Sequence, residues 1–150
     1  MMKTFSALLA SLVLFAFAGS ALAETFEVKM LNRGEKGPMV FEPDYLEIQP
    51  GDKVVFVPTH KSHNAATIDE MIPEGAEGFK SKINEQFETT FDQVGFYGIK
   101  CSPHIGMGMV MMIKVGEATV PETYASIKLP PRAQTRMDAL IAQAGQGSAQ

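Results

Sequence analysis

The only cysteine of this chain lies in a short segment that also contains a histidine and two methionines. Cys101, His104, Met107 and Met109 fall within nine residues, and His63 lies 38 residues before the cysteine. A thiolate and two imidazoles in one plane, with a weak axial thioether, are the ligands of blue-copper electron-transfer sites. These residue types at this spacing predict a copper centre with Cys101, His63 and His104 in its plane.

Spacing alone leaves the axial ligand open. Met107 and Met109 follow His104 by three and five residues, and either spacing suits such a site. His60 competes with His63 for the upstream position, but a His2Cys plane needs a single upstream histidine. We therefore expect His60 to be a solvated loop residue. Asn64 follows His63, and its amide could join the two ligand loops by hydrogen bonds.

Other chemistries fit the same residues less well. A Cys–His hydrolase also needs an orienting group and an oxyanion hole, and no motif indicates either, so no enzymatic activity is expected. A structural zinc site would more typically use cysteine and histidine without methionine. A copper-handling protein that passes Cu(I) through the methionine-rich segment 107–112 is the alternative function. Against it, Met111 and Met112 lie in a strand-like run where core packing explains methionine.

The N-terminal residues 1–23 are typical of a secretory signal peptide. A short positive stretch and an apolar run precede Ala21-Leu22-Ala23, which predicts cleavage after Ala23 and a periplasmic domain over 24–150. Removing Lys3 leaves 12 Lys and Arg against 17 Asp and Glu, a net charge of −5. No basic block indicates nucleic acid binding, and the apolar run is shorter than a transmembrane helix requires.

The body of the chain has the pattern of a β protein. Residues 25–30 alternate apolar and polar side chains, and further short apolar runs are separated by glycine and proline turns. The run at 73–84 is polar and predicts a loop or a short helical turn. Short strands at this spacing favour an antiparallel sandwich. After Val120 the spacing of the apolar residues becomes that of a helix. One helical stripe consists of Met137, Leu140, Ile141 and Ala144, and Gly145 is a plausible end of that helix. Two short amphipathic helices over 121–144 are therefore predicted.

Longer stretches resemble the pseudoazurins, small periplasmic cupredoxins of denitrifying and methylotrophic bacteria. The matching stretches cover most of residues 24–144; they are VKMLN (28–32), MVFEP (39–43), PGD (50–52), HN (63–64), MIPEGAE (71–77), FKSKINE (79–85), KCSPH (100–104) and GMGM (106–109). The resemblance implies an all-β, cupredoxin-like Greek-key sandwich of about eight strands with two short C-terminal α-helices. It also implies a monomer with no stable membrane association.

The same resemblance implies a particular metal centre. One copper ion would be held by four ligands, His63, Cys101, His104 and Met109. Three residues would surround them: Asn64 near the Cys101 sulfur, Met39 near the His104 ring, and Pro103, which restricts the backbone before His104. Two positions depart from the family pattern. Ser62 stands where glycine is common, and His60 stands where an acidic or neutral residue is expected.

The resemblance finally implies a carrier that docks briefly with redox partners. His104 would be the electron port inside an apolar patch that includes Ile105 and Met107. Four basic residues would surround the patch: Arg33, Lys61, Lys80 and Lys100. The implied acceptor is a copper nitrite reductase or another periplasmic reductase in denitrification, and the donor a c-type cytochrome. Charge asymmetry of this kind raises association rates in a salt-dependent way.

Overall fold

A β-sandwich forms the body of the chain in a computed structural model, which describes residues 22–147. Within that range, eight strands form two four-stranded sheets, with the orders β2-β1-β4-β6 and β3-β8-β7-β5. The strands are β1 (Thr25–Gly34), β2 (Gly37–Glu42), β3 (Tyr45–Ile48), β4 (Asp52–Val57), β5 (Ala66–Thr67), β6 (Phe87–Phe91), β7 (Gly95–Lys100) and β8 (Val110–Val115). The predicted all-β cupredoxin-like sandwich is confirmed. The predicted signal peptide lies almost entirely outside the described residues.

The sheets are mixed rather than antiparallel. β1 pairs in parallel with β4, and β3 pairs in parallel with β8, while the other four pairings are antiparallel. The prediction of a purely antiparallel sandwich was therefore wrong at these two pairings. The period-two pattern of a strand reports which of its faces is buried, but it carries no information on the direction of its neighbours.

Strand β8 separates two hydrophobic clusters. All six of its residues are buried, because one face lies in the sandwich and the other is covered by the C-terminal segment. Met111 packs in the sandwich interior with Met109, whereas Met112 packs with Met137 of the C-terminal helix. Both strand methionines are 0% exposed. Core packing therefore accounts for these two members of the methionine-rich segment.

The C-terminal segment has one α-helix. Glu122–Ser126 is a 3₁₀ helix, and α1 spans Pro131–Gly147. The first of the two predicted α-helices is instead a five-residue 3₁₀ helix. The Pro130-Pro131 pair that follows it lacks two N–H donors, so an α-helix cannot continue through this point into α1. The predicted stop at Gly145 was also wrong. A glycine in a helix costs only about 1 kcal/mol relative to alanine, so it does not force a helix to end.

The loops at one end of the sandwich carry the predicted ligands. The segment 101–109 connects β7 to β8, which pair antiparallel from Lys100↔Val110 onward. The segment 58–65 connects β4 to β5, and β5 pairs with the end of β7 through Ala66↔Lys100. Both loops therefore emerge beside Lys100. Residues 73–84 contain no strand or helix and form a single bridge, Ala66↔Lys80, as the polar composition of the segment predicts.

No helix within residues 22–147 combines the length and the apolar character needed to cross a lipid bilayer.

Candidate metal centre

Three of the predicted ligands meet at the loop end of the sandwich. The Nδ1 atoms of His63 and His104 lie 3.1 Å apart, and the Cys101 Sγ lies 3.7 Å from the first and 3.5 Å from the second. Cys101 and His63 are 0% exposed, whereas His104 is half-buried. The point equidistant from the three donor atoms lies about 2.0 Å from each, close to the ~2.0–2.3 Å of metal–nitrogen and metal–sulfur bonds in protein sites. The triangle fits a first-row transition metal.

The loop that carries Cys101 and His104 is closed by its own backbone. The Cys101 N–H donates to the Met109 carbonyl at 3.0 Å, and the N–H groups of Met107 and Met109 donate to the His104 carbonyl at 2.9 and 3.2 Å. Gly108 has φ 92°, which glycine adopts without strain, and it turns the chain back into β8. Met109, whose carbonyl accepts the Cys101 N–H, is 0% exposed, whereas Met107 is 38% exposed.

The ring of His63 is oriented by Asn32 at the end of β1. The His63 Nε2–H donates to the Asn32 Oδ1 at 2.8 Å, so the Nδ1 lone pair faces the cysteine. Burial, together with smaller contributions from the nearby charges of His104 and His60, lowers the pKa of His63 to about 4. The ring is therefore neutral at neutral pH, the form that binds a metal. The His60 Nδ1 in turn accepts the backbone N–H of Asn32 at 2.9 Å.

Asn64 joins the two ligand loops. Its Oδ1 accepts the Ser102 N–H at 2.7 Å, and its Nδ2–H donates to the Ser81 carbonyl at 3.0 Å and to the Ser102 Oγ at 3.3 Å. The backbone of Asn64 also bonds the Cys101 thiol, which opposes the effect of burial on that group. The link exists within the protein alone, so the two loops are held together before any metal binds.

Burial raises the pKa of the Cys101 thiol, and hydrogen bonds from the Asn64 and His104 backbones lower it in part. A thiolate in this place therefore needs a cation beside it. A metal ligated by this sulfur displaces the thiol proton, so metal binding releases a proton and strengthens as the pH rises. The donor set of two imidazoles and one thiolate, with thioethers close by, is that of a copper site.

Comparisons with known proteins agree with the geometry. The family model of copper binding proteins of the plastocyanin/azurin family matches residues 28–116. The chain belongs to this family. It is 51% identical to the pseudoazurin of Paracoccus pantotrophus over 89% of this chain and 93% of that protein. It is similar to the crystal structure of the pseudoazurin of Methylobacterium extorquens AM1, with 41% identity and a TM-score of 0.76 over 79% of this chain and 98% of the other.

Membership of this cupredoxin family places the chain among the blue copper electron-transfer proteins, with one copper ion as cofactor. The donor triangle of this chain fits that ion by its distances and by its chemistry. A putative pseudoazurin of Rhizobium leguminosarum bv. viciae is 47% identical over 93% of this chain and 92% of that protein. The likeness therefore extends across both sheets and the C-terminal segment.

The remaining predicted residues lie around the loop end, with varied exposure. Met39 is half-buried against the sandwich core, and Pro103 is exposed. Ile105 is half-buried against the cluster under α1. Of the four basic residues, Arg33, Lys61 and Lys80 are exposed and Lys100 is half-buried. A contact between Met39 and the His104 ring stays a prediction.

Sequence reasoning missed the residues that orient the ligands from a distance. Asn32 was noticed only as part of a matching stretch, although its side chain bonds His63. Ser81 was missed as well, and its Oγ accepts the Ala65 N–H at 3.0 Å beside the histidine loop. Neither contact has a local signal, because both join segments that are 16 or more residues apart in the chain.

Proposed function

We propose that this protein carries single electrons in the periplasm with one copper ion bound by four residues, His63, Cys101, His104 and Met109. The observation that carries the proposal is the buried triangle of two Nδ1 atoms and one Sγ. The bound ion supplies a one-electron couple between Cu(II) and Cu(I). The chain excludes water around the thiolate, and Asn32 holds the imidazole of His63 in a fixed orientation, which limits the rearrangement that accompanies each electron transfer.

Burial and backbone pairing support Met109 rather than Met107 as the axial ligand. Met109 is 0% exposed, and its carbonyl accepts the Cys101 N–H. Met107 lies on the 3₁₀ turn Ile105–Met107 and is 38% exposed. A soft thioether that completes a water-excluding site must itself be shielded, and Met109 meets this condition. Met107 is better suited to a docking surface.

The half-buried ring of His104 is the proposed electron port. It is flanked in sequence by the exposed Pro103 and is followed in the same turn by the exposed Met107. His63 is fully buried and its outer nitrogen is occupied by Asn32, so the other histidine offers the shorter route to the surface. Small apolar patches of this kind on soluble proteins often mark docking sites.

Basic residues near this end are proposed to steer an acidic redox partner. Ala66 pairs with both Lys100 and Lys80, so these two lysines flank one short strand next to the ligand loops. Lys61 lies two residues before His63, and Arg33 follows Asn32. The proposed partners are a copper nitrite reductase or another periplasmic reductase as acceptor and a c-type cytochrome as donor. Transient redox encounters bury little area, so no stable complex is expected.

Absorption and EPR spectra of the mature protein, loaded with one equivalent of Cu(II), test the proposal. An intense thiolate-to-copper band with a small hyperfine splitting, lost on reduction by ascorbate and restored by oxidation, is the expected result. A weak band with tetragonal copper parameters would place Cys101 outside the coordination plane. Mass spectrometry of the exported protein tests cleavage after Ala23.

Copper delivery to a client is the competing function, and the buried methionines weaken it. Met111 and Met112 are 0% exposed on β8 and offer no accessible thioether. A carrier should retain its copper through repeated redox cycles in the presence of an apo-client. Transfer of copper to that client within the same time would favour the delivery function instead.

The docking proposal has its own test in the salt dependence of electron transfer. Replacing Lys61 and Lys100 with glutamine should slow transfer to an acidic partner at low ionic strength, and the difference should shrink as salt screens the charges. The two replacements are made singly, and replacement of Lys128, an exposed residue of the C-terminal segment, by glutamine removes one charge as each of them does and serves as the control. Equal rates for all variants at low salt would remove the basic surface from the mechanism.

A further inference from the structure

A single arginine of the C-terminal helix reaches the backbone of two segments near the metal centre. The Arg136 Nη1 donates to the carbonyl oxygens of Met39 at 2.6 Å and Gly108 at 2.8 Å, and its Nη2 donates to the Pro38 carbonyl at 2.8 Å. The guanidinium is half-buried, and burial lowers the pKa of Arg136 from its ordinary value. The charge thus lies among main-chain dipoles.

Two of the carbonyls that Arg136 bonds belong to residues with a positive φ. Met39, within β2, has φ 51°, which a side chain other than glycine adopts only at a cost, and Gly108 has φ 92°. Gly108 directly precedes Met109, and Met39 begins the half of β2 that packs into the core. The Nη1 group donates to both carbonyls, so it ties β2 and the ligand loop to each other as well as to the helix.

The first turn of α1 also abuts the same glycine. A Cβ placed on Gly108 would lie 3.2 Å from the Arg132 Cβ and 3.3 Å from its carbonyl carbon and oxygen. The loop therefore lies directly against the helix, and it cannot move toward the helix without a collision. Arg136 supplies the opposite restraint, because its hydrogen bond keeps the Gly108 carbonyl from moving away.

We propose that Arg136 is a positioning residue for the copper centre. It fixes the backbone on which Met109 and Met39 are mounted, and so sets the distance of the axial thioether from the plane of the other ligands. The proposal rests on the proposed function, because it takes Met109 as the axial ligand. The His104 carbonyl accepts the N–H groups of Met107 and Met109, so movement of this backbone is transmitted to the port histidine too.

The planar fork of arginine is needed for this role. Its N–H groups point in fixed directions and can bond three carbonyls at once, whereas a lysine ammonium is a single point of charge on a flexible stem. Removing the fork should leave the triangle of Cys101, His63 and His104 assembled, because the Asn64 link is separate from it. The axial contact should then loosen while the plane persists.

The test compares R136Q with K128Q, which removes an equal charge from an exposed position of the same C-terminal segment. Copper-loaded R136Q should show a changed ratio of its thiolate-to-copper bands, a shifted reduction potential and about tenfold weaker copper binding in a chelator competition. K128Q should match the wild type in all three. A wild-type spectrum and potential in R136Q, with a lowered melting temperature of the apo-protein, would overturn the proposal and reduce Arg136 to a helix anchor.

A measurement without copper separates this inference from the proposed function. Amide exchange at Gly108 and Met109, whose N–H groups bond the Ile105 and His104 carbonyls, should be faster in apo-R136Q than in apo-K128Q. Equal exchange rates would also overturn the proposal. A wild-type protein without an intense thiolate band would contradict the proposed function, while the exchange rates would still decide the restraint. If R136Q does not fold, R136K takes its place with the same expected direction of change.

Discussion

The hydrogen bond between Asn32 and His63 offers the sharpest test of how this metal centre is oriented. Replacing Asn32 with alanine removes the only acceptor that the structure gives the His63 Nε2–H, at 2.8 Å. The backbone N–H of Asn32 keeps its bond to His60, because the substitution leaves the main chain in place. The substitution therefore removes only the side-chain carboxamide of residue 32.

The structure sets the expected magnitude. His63 is fully buried, but residue 32 is exposed, so water can approach the freed N–H from that side. The free energy of unfolding of the apo-protein should fall by about 1 kcal/mol, the lower end of the cost of a lost buried hydrogen bond. Copper affinity should fall by about tenfold, the usual lower limit for loss of a partner that orients a metal-binding histidine. That factor corresponds to about 1.4 kcal/mol.

Chelator competition for Cu(I) measures the affinity, and EPR of the Cu(II) form reports the orientation of the imidazole. Asn32→Asp is the matched control, because its carboxylate keeps an acceptor oxygen at the place of the amide Oδ1. It also adds a charge that raises the basicity of the His63 ring. Its affinity should equal or exceed that of the wild type. An alanine variant with wild-type affinity and an unchanged EPR spectrum would refute the reasoning.

Three further outcomes are expected of the site residues. Cys101→Ser should abolish the thiolate-to-copper band and leave the circular dichroism of the sandwich intact, since an isosteric hydroxyl fits the buried position; persistence of the band would contradict the assignment of the sulfur ligand. Met109→Leu should shift the reduction potential and spectrum strongly and Met107→Leu weakly, and the reverse ranking would make Met107 the axial ligand. In the apo-protein, the pKa of His63 is about 4 against an ordinary value of 6.5, so the unfolded state binds more protons between these values. The free energy of unfolding should fall as the pH drops from 6.5 toward 4, by at most about 3 kcal/mol, and stay constant above. Denaturant titrations at several pH values measure it, and a flat profile would contradict the burial of a neutral ring.

Parts of the metal centre could be predicted because they are contiguous in sequence. The run from Cys101 to Met109 contains two of the planar donors and both axial candidates, so any hairpin-like loop brings them together. His63 could be proposed as the upstream ligand because a His2Cys plane needs one upstream histidine, but its distance of 38 residues from the cysteine gives no local signal that the two side chains meet. Asn32 and Arg136 could not be found at all, since their contacts depend on the pairing of β1 with β4 and on the angle at which α1 lies over β8.

The errors in the fold have separate causes. β5 has only two residues, Ala66 and Thr67, which is too short for a periodic pattern to be recognised. The 3₁₀ helix Glu122–Ser126 has an apolar spacing compatible with an α-helix, but Pro121 and Pro130 leave few residues between them for one. The parallel pairings are a property of the whole topology.

The hydrogen-bonded link from Asn64 to Ser102 has a consequence for the energetics of electron transfer. Both ligand loops are joined through protein atoms, so the folded chain, and not the bound ion, defines the shape of the coordination sphere. Movement of the donors toward the preferred arrangement of either oxidation state would have to strain this link. We therefore expect a small reorganisation energy and fast electron exchange for the copper-loaded protein, because the link forms when the polypeptide folds.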